Sequence, residues 1–104
     1  MRKCCDMRGF LSFIVLRLIS KENFSGEDIR KELAKRKGSK PSSGTIYPVL
    51  RSLSEADFIQ EIKGGGKEKK YKLTPRGKKE LESATRKFVR IFYDMREEYD
   101  RCKV

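Results

Sequence analysis

Histidine and tryptophan are both missing from this 104-residue chain. Without histidine it lacks the commonest general base at neutral pH and the commonest zinc ligand. Without tryptophan it has no broad indole ring to serve as a stacking platform. Cysteine is scarce: Cys4, Cys5 and Cys102 are odd in number, and none stands in a CxxC pair. Adjacent cysteines seldom bridge, because their side chains diverge, so reduced thiols and a cytoplasmic protein are expected. Long apolar runs are missing too. The best, Phe10 to Ile19, is broken by Ser12 and Arg17 and is about half of the ~20 residues that span a bilayer. With no small-residue cleavage site behind it, it reads as a buried helix and not as a secretory signal. Paired catalytic carboxylates, a nucleophile elbow and a phosphate loop are absent; Gly64-Gly65-Gly66 precedes Lys67-Glu68 and a strand, not Lys-Ser/Thr and a helix. No enzyme, resident metal or cofactor is expected.

Acidic residues are the minority charge. There are 15 Asp and Glu against 26 Lys and Arg, a formal net charge of +11. Such a surplus on a short chain favours a polyanionic partner, nucleic acid or an anionic membrane surface, over a merely soluble basic protein. Apolar residues make up 37% and charged residues 39%, which allows one domain whose core gains by pairing with a second copy.

The residues that are present fall into clear units. A first helix is expected over residues 8–21, where Phe10, Leu11, Phe13, Ile14, Val15, Leu16, Leu18 and Ile19 leave almost no polar face, so other helices must surround it. Ser25 caps a second helix, with Asp28 at the capping-box position and Phe24 and Ile29 as a hydrophobic staple. Ile29 and Leu33 form its narrow apolar stripe before Gly38-Ser39-Lys40-Pro41 ends it. A third helix, capped by Ser42 or Ser43 and ending near Asp57, carries Ile46, Val49, Leu50 and Leu53 at i, i+3, i+4, i+7. Short strands over residues 58–63 and 69–73 flank a flexible basic GGGKEK tip. Thr74-Pro75 is a cap with proline at N1, opening a final helix expected to run to about Arg101. Leu81, Ala84, Phe88, Ile91 and Met95 step along it with heptad spacing, and Phe92 and Tyr99 widen the seam. So small a domain cannot cover that seam, which predicts a homodimer.

Three helices and a hairpin with a glycine-rich basic loop outline a winged helix-turn-helix, mainly α with a small β-hairpin. The divisions are a tail, 1–7, a winged unit, 8–74, and a C-terminal dimerisation helix, 75–104. A helix can enter a major groove about 12 Å wide while lysines on a loop reach nearby phosphates. GTIYPVLRSL (Gly44–Leu53), GGGKEKKYKLT (Gly64–Thr74) with Gly77, and FSGEDIRKEL (Phe24–Leu33) resemble the PadR family of bacterial and archaeal transcriptional regulators. The likeness covers about residues 9–82, and generic winged helices lack the Gly-Thr-Ile-Tyr-Pro block. It implies a homodimeric DNA-binding repressor, dimerising through the C-terminal helix, with a small-molecule effector as a candidate partner and no membrane. It also implies contacts to double-stranded DNA from Ser42, Ser43, Gly44, Thr45, Tyr47 and Arg51, and from Lys63, Gly65, Lys67 and Lys69 on the wing. Two departures stand out. Asp57 occupies a position where the family usually has glycine, and the C-terminal part is one short helix, leaving little for an elaborate effector pocket.

Read from the residues alone, several of these positions have rival uses. Tyr47 either packs against the first helix or meets a phosphate. Arg51 suits a guanine edge, a phosphate or an ion pair with Glu55. Lys35, Arg36 and Lys40 lie near the start of the third helix and are expected to meet DNA. Phe10, Leu81, Ala84, Phe88, Ile91, Phe92, Met95 and Tyr99 are assigned to the dimer seam, with an aromatic effector pocket of Phe88, Phe92 and Tyr93 as the rival. The three thiols could gather round a soft metal in a dimer, but inert chain ends are expected. An operator-specific repressor reading a roughly palindromic site is the primary function, and an architectural protein coating DNA without sequence preference is the alternative.

Pro48 breaks the third helix's own pattern, removing a backbone donor at a cost of roughly 3 kcal/mol. A projection at 100° per residue turns Gly44, Pro48, Arg51 and Glu55 outward, with Thr45 and Tyr47 flanking. The carbonyl stranded near Gly44 then faces water while the apolar stripe stays unbroken. The expectation is that Pro48 sets the bend of the helix end that touches DNA.

Overall fold

Local signals and a single core account for the architecture. In a computed structural model, residues 7–37, 42–62 and 69–102 are described, the side chains of Met7, Arg8, Arg36, Lys37 and Tyr99 excepted. The elements are α1 (Met7–Lys21), α2 (Gly26–Lys37), α3 (Ser43–Glu55), β1 (Ile59–Ile62), β2 (Lys70–Leu73), α4 (Pro75–Asp94) and α5 (Arg96–Cys102). This is the mainly helical winged helix-turn-helix that the sequence predicts. Among the described residues no helix is long and apolar enough to cross a membrane.

The core is built from Val15, Leu16, Leu18 and Ile19 of α1, Ile29 and Leu33 of α2, Ile46, Val49, Leu50 and Leu53 of α3, and Ile59 of β1. Phe24, Phe58, Tyr71, Leu73 and Leu81 pack around it. The staple pair Phe24 and Ile29 thus belongs to one cluster. β1 and β2 are antiparallel in the register Ile59↔Leu73, Gln60↔Lys72, Glu61↔Tyr71 and Ile62↔Lys70. This places Ile59 and Leu73 together on the core face.

Each junction has a stated chemistry. At α2 the capping box closes in both directions: the Asp28 N–H donates to Ser25 Oγ, and the Ser25 N–H donates to Asp28 Oδ2, each at 3.1 Å. That backbone bond is the chief cause holding the Asp28 carboxyl below its ordinary range; the Ser25 hydroxyl, Lys70 and Lys31 assist, and burial opposes. α3 ends in a Schellman turn, with the Phe58 N–H donating to the Leu53 carbonyl (2.9 Å) and the Asp57 N–H to the Ser54 carbonyl (3.0 Å). Asp57 takes the left-handed conformation at φ 66° that glycine fills more easily.

Thr74 ties this turn to α4. Its Oγ1 donates to the Asp57 carbonyl at 2.6 Å and accepts from the Gly77 N–H at 2.9 Å. The Thr74 N–H donates to the Phe58 carbonyl at 3.1 Å. A side chain at Gly77 would run into that same Phe58 backbone, so α4 can come this close only with glycine.

The final helix differs from the unbroken one expected to Arg101. Met95 (φ −101°, ψ 15°) leaves the helical ladder, its N–H donating to the Phe92 carbonyl at 3.0 Å, and α5 begins at Arg96. The physical reason is local: the Arg96 guanidinium donates to the Tyr93 carbonyl at 2.9 Å and lies 4.1 Å from that ring's centre. A side chain thereby satisfies an end carbonyl that a continuous helix would have satisfied with backbone.

Candidate nucleic-acid interface

α3 has a sealed underside and an open top. Ile46, Val49, Leu50 and Leu53 are buried, whereas Ser43, Gly44, Thr45, Tyr47, Pro48, Arg51 and Glu55 are exposed. The helix continues through Pro48, which sits on the open side. Ser42, not Ser43, is the N-cap, and its side chain makes no cap bond to the helix. Its hydroxyl instead shares a 3.1 Å hydrogen bond with the Thr45 hydroxyl. The Thr45 N–H donates to the Ser42 carbonyl at 3.0 Å, and no Ser42 side chain caps the N–H groups ahead of it.

Tyr47 is 44% exposed, yet its ring has a partner. A Cβ at Gly26 would lie 2.7 Å from Cε1, Cζ and the hydroxyl of Tyr47. The ring therefore rests on the first turn of α2. Arg51 is exposed, and among the described residues no ion pair joins it to Glu55.

In the sequence the cations flank α3 and are not within it. The helix carries Arg51 against Glu55 and is neutral. Residues 30–40 hold Arg30, Lys31, Lys35, Arg36, Lys37 and Lys40 against Glu32, and residues 63–73 hold Lys63, Lys67, Lys69, Lys70 and Lys72 against Glu68. Lys35 Nζ stands 3.1 Å from Glu32 Oε2 and Lys69 Nζ 3.4 Å from Glu61 Oε2. Exposed pairs of this kind are worth only about 0–1 kcal/mol, so either lysine can be given up to a phosphate. Lys40, Lys63, Gly65 and Lys67 lie outside the described residues, as does the Arg36 side chain. Lys70 and Lys72, both exposed on β2, were not among the sequence-predicted contacts; the alternation of KYKL was the signal for them. Beside them, burial pushes the Tyr71 hydroxyl pKa up, with Glu61 and Tyr47 adding and Lys69 opposing.

The seam residues divide. Phe10 meets Phe88 and Phe92 edge-on, with ring centres 5.6 and 5.9 Å apart, and Phe13 lies 4.7 Å from Phe88. These rings are filled by packing within one chain, between α1 and α4. Leu81 and Ala84 are half-buried, while Ile91, Phe92 and Met95 are exposed. Tyr93 pairs with Arg96, while Phe88 and Phe92 stack on each other with ring centres 5.9 Å apart. A groove of about 360 Å³, floored by Ile19, Leu73 and Leu81 and rimmed by Lys72 and Lys78, opens between α1, β2 and α4. The Tyr99 side chain, Cys4 and Cys5 lie outside the described residues, and Cys102 is exposed. Among the described residues no group of three His, Cys, Asp or Glu side chains could hold a metal ion.

The fold has known counterparts. A PadR-like regulator of Bacillus cereus superimposes with a TM-score of 0.80 at 23% identity, over 89% of this chain and 94% of that one. Bacillus subtilis PadR, solved in complex with operator DNA, gives a TM-score of 0.62 at 32% identity, covering 73% of this chain but 46% of the longer regulator. An uncharacterised protein of Lysinibacillus sphaericus is 29% identical over 91 residues, 82% of this chain and 84% of its own. Residues 15–83 match the sequence signature of the transcriptional regulator PadR-like family. That span includes the buried core, the Gly-Thr-Ile-Tyr-Pro block and the capped start of α4, and the chain belongs to the PadR-like family of transcriptional regulators.

Proposed function

We propose that this chain is a homodimeric, cytoplasmic repressor that reads a roughly palindromic operator, with α3 in the major groove and the wing against the phosphate backbone. The observation that carries this reading is the exposed face of α3, where Gly44, Thr45, Tyr47 and Arg51 stand over a fully buried stripe. A neutral reading helix flanked by cationic segments separates the two tasks of a DNA-binding protein: phosphate contacts position, and base contacts specify. Arg51 is assigned to a guanine edge. Ser42, Ser43, Gly44, Thr45 and Tyr47 are assigned to phosphates at the start of α3, with Lys35, Arg36 and Lys40 on one side and Lys63, Gly65, Lys67 and Lys69 on the other.

The dimer is assigned to the apolar side of α4 beyond the ring cluster, where Ile91, Phe92 and Met95 are exposed, together with Leu81, Ala84, Phe88, Tyr99 and Phe10 near its edge. Two α3 helices related by a two-fold axis would meet half-sites about one helical turn apart. The groove rimmed by Lys72 and Lys78 is the place assigned to a small-molecule effector, since it touches the wing and α4 at once.

The test is competition at ~0.2 M salt, where phosphate binding without sequence preference is weak. A fragment upstream of the protein's own gene is expected to outcompete random DNA, and Arg51→Ala to cost about 1–3 kcal/mol on that fragment alone. Equal affinity for both DNAs would replace the repressor with the architectural reading.

A further inference from the structure

We infer that Gly26 is a positioning residue for Tyr47, and that the first turn of α2 holds Tyr47 and the wing in one fixed arrangement toward DNA. The inference rests on the proposed function for its reference to DNA, but the arrangement itself is read from contacts. Gly26 is buried, and a Cβ there would come within 2.7 Å of the Tyr47 ring and hydroxyl. Real Cβ atoms do not approach other atoms so closely, so any side chain at residue 26 forces something to move. The obstacle is the far end of a side chain that is itself half-exposed, so the ring moves and the backbone stays.

The seat is rigid. Ser25 is buried and locked to Asp28 by the reciprocal capping box. The same segment is bound to the wing: the Tyr71 N–H donates to the Phe24 carbonyl at 3.0 Å, and Ser25 bridges Lys70. Residues 24–28 therefore hold β2 by the backbone and Tyr47 by the absence of a side chain. A tyrosine with a free ring samples several rotamers over the exposed face of α3. Seated on Gly26 it is confined to one, in register with the strand that carries Lys70 and Lys72.

The experiment compares wild type, Gly26→Ala, Tyr47→Ala and the double variant. Alanine is the better helix former, so Gly26→Ala is expected to keep or raise the melting temperature. Its affinity for DNA is expected to fall about tenfold, the scale of one lost polar contact, with operator and random DNA weakened alike because Tyr47 is assigned to a phosphate. The double variant should match Tyr47→Ala alone, because with the ring gone residue 26 has nothing to displace. A merely structural role would not produce that non-additivity. An unchanged affinity for DNA in Gly26→Ala, or full additivity in the double variant, overturns the inference. If Gly26→Ala instead melts earlier, recovery in the double variant supports the clash with Tyr47, and failure to recover overturns it. Nuclear Overhauser contacts between the Tyr47 ring and residue 26 test the seat without DNA: their absence in the wild type sinks this inference. A wild type that shows those contacts but prefers no DNA sinks the operator reading.

Discussion

The stripe of α3 and the stripe of α4 follow the same rule and meet different fates. In α3 the stripe of Ile46, Val49, Leu50 and Leu53 is buried beneath neighbours from α1, α2 and β1. In α4 the stripe begins half-buried at Leu81, closes against Phe10 and Phe13 at Phe88, and then emerges. Ile91 is 44% exposed, and Phe92 and Met95 are each 45% exposed. The first stripe is covered within one chain, and the second is left exposed beyond Phe88. Uncovered apolar surface forgoes roughly 25 cal/mol per Å², so an amphipathic helix leaving its own core has reason to find another. The lesson is that periodicity identifies a buried face without saying whose residues bury it.

Substitutions in the two stripes should separate them. Leu50→Ala removes a fully buried side chain from α3 and is expected to cost about 2–5 kcal/mol, seen as a lower urea midpoint for the whole winged unit. Ile91→Asp should do the opposite: little change in the melting of that unit, but conversion of dimer to monomer by light scattering and loss of operator affinity. A dimer that survives Ile91→Asp would break the comparison and place the partner elsewhere.

Two smaller effects sharpen it, since both lie in the self-sufficient region. Asp28→Ala undoes the capping box and is expected to cost about 0.5–2 kcal/mol. The Asp28 carboxyl is held below its ordinary pKa in the folded state. Its contribution is therefore present above the unfolded pKa and lost as the pH falls through the folded one. Asp28→Asn should accordingly remove part of the acid-dependent fall in stability measured by denaturation below about pH 4. Smallest of all, Asp57→Gly relieves a left-handed residue and should raise the melting temperature by a few degrees, equivalent to roughly 1 kcal/mol or less.

Much of this structure was legible in advance because it is set over a few residues. The Ser25–Asp28 box, the Thr74-Pro75 start, the stripe Ile46–Leu53 and the hairpin are all matters of near-neighbour spacing. Asp57 was legible as a departure from glycine, and its backbone shows why glycine would sit there more easily. The contacts of Tyr47 with Gly26, and of Gly77 with Phe58, were not legible, since each joins residues about twenty positions apart through packing alone. The break at Met95 carries neither glycine nor proline to mark it; it depends on Arg96 finding the Tyr93 carbonyl. The ring cluster was half legible: the spacing put Phe88 and Phe92 on a seam, but Phe10 and Phe13 of the same chain fill it.

The hydroxyl of Thr74 has a reach beyond the cap it makes. It grips the turn that ends α3 with one hydrogen bond and the start of α4 with another. In a dimer joined through α4, that atom is the pivot of a caliper whose two jaws are the α3 helices. The gap between the jaws decides which half-site spacing can be spanned, so operators with the right letters at the wrong distance would be refused. A substitution at Thr74, far from any base, would then alter the length of DNA that the protein accepts while leaving its preferred bases unchanged.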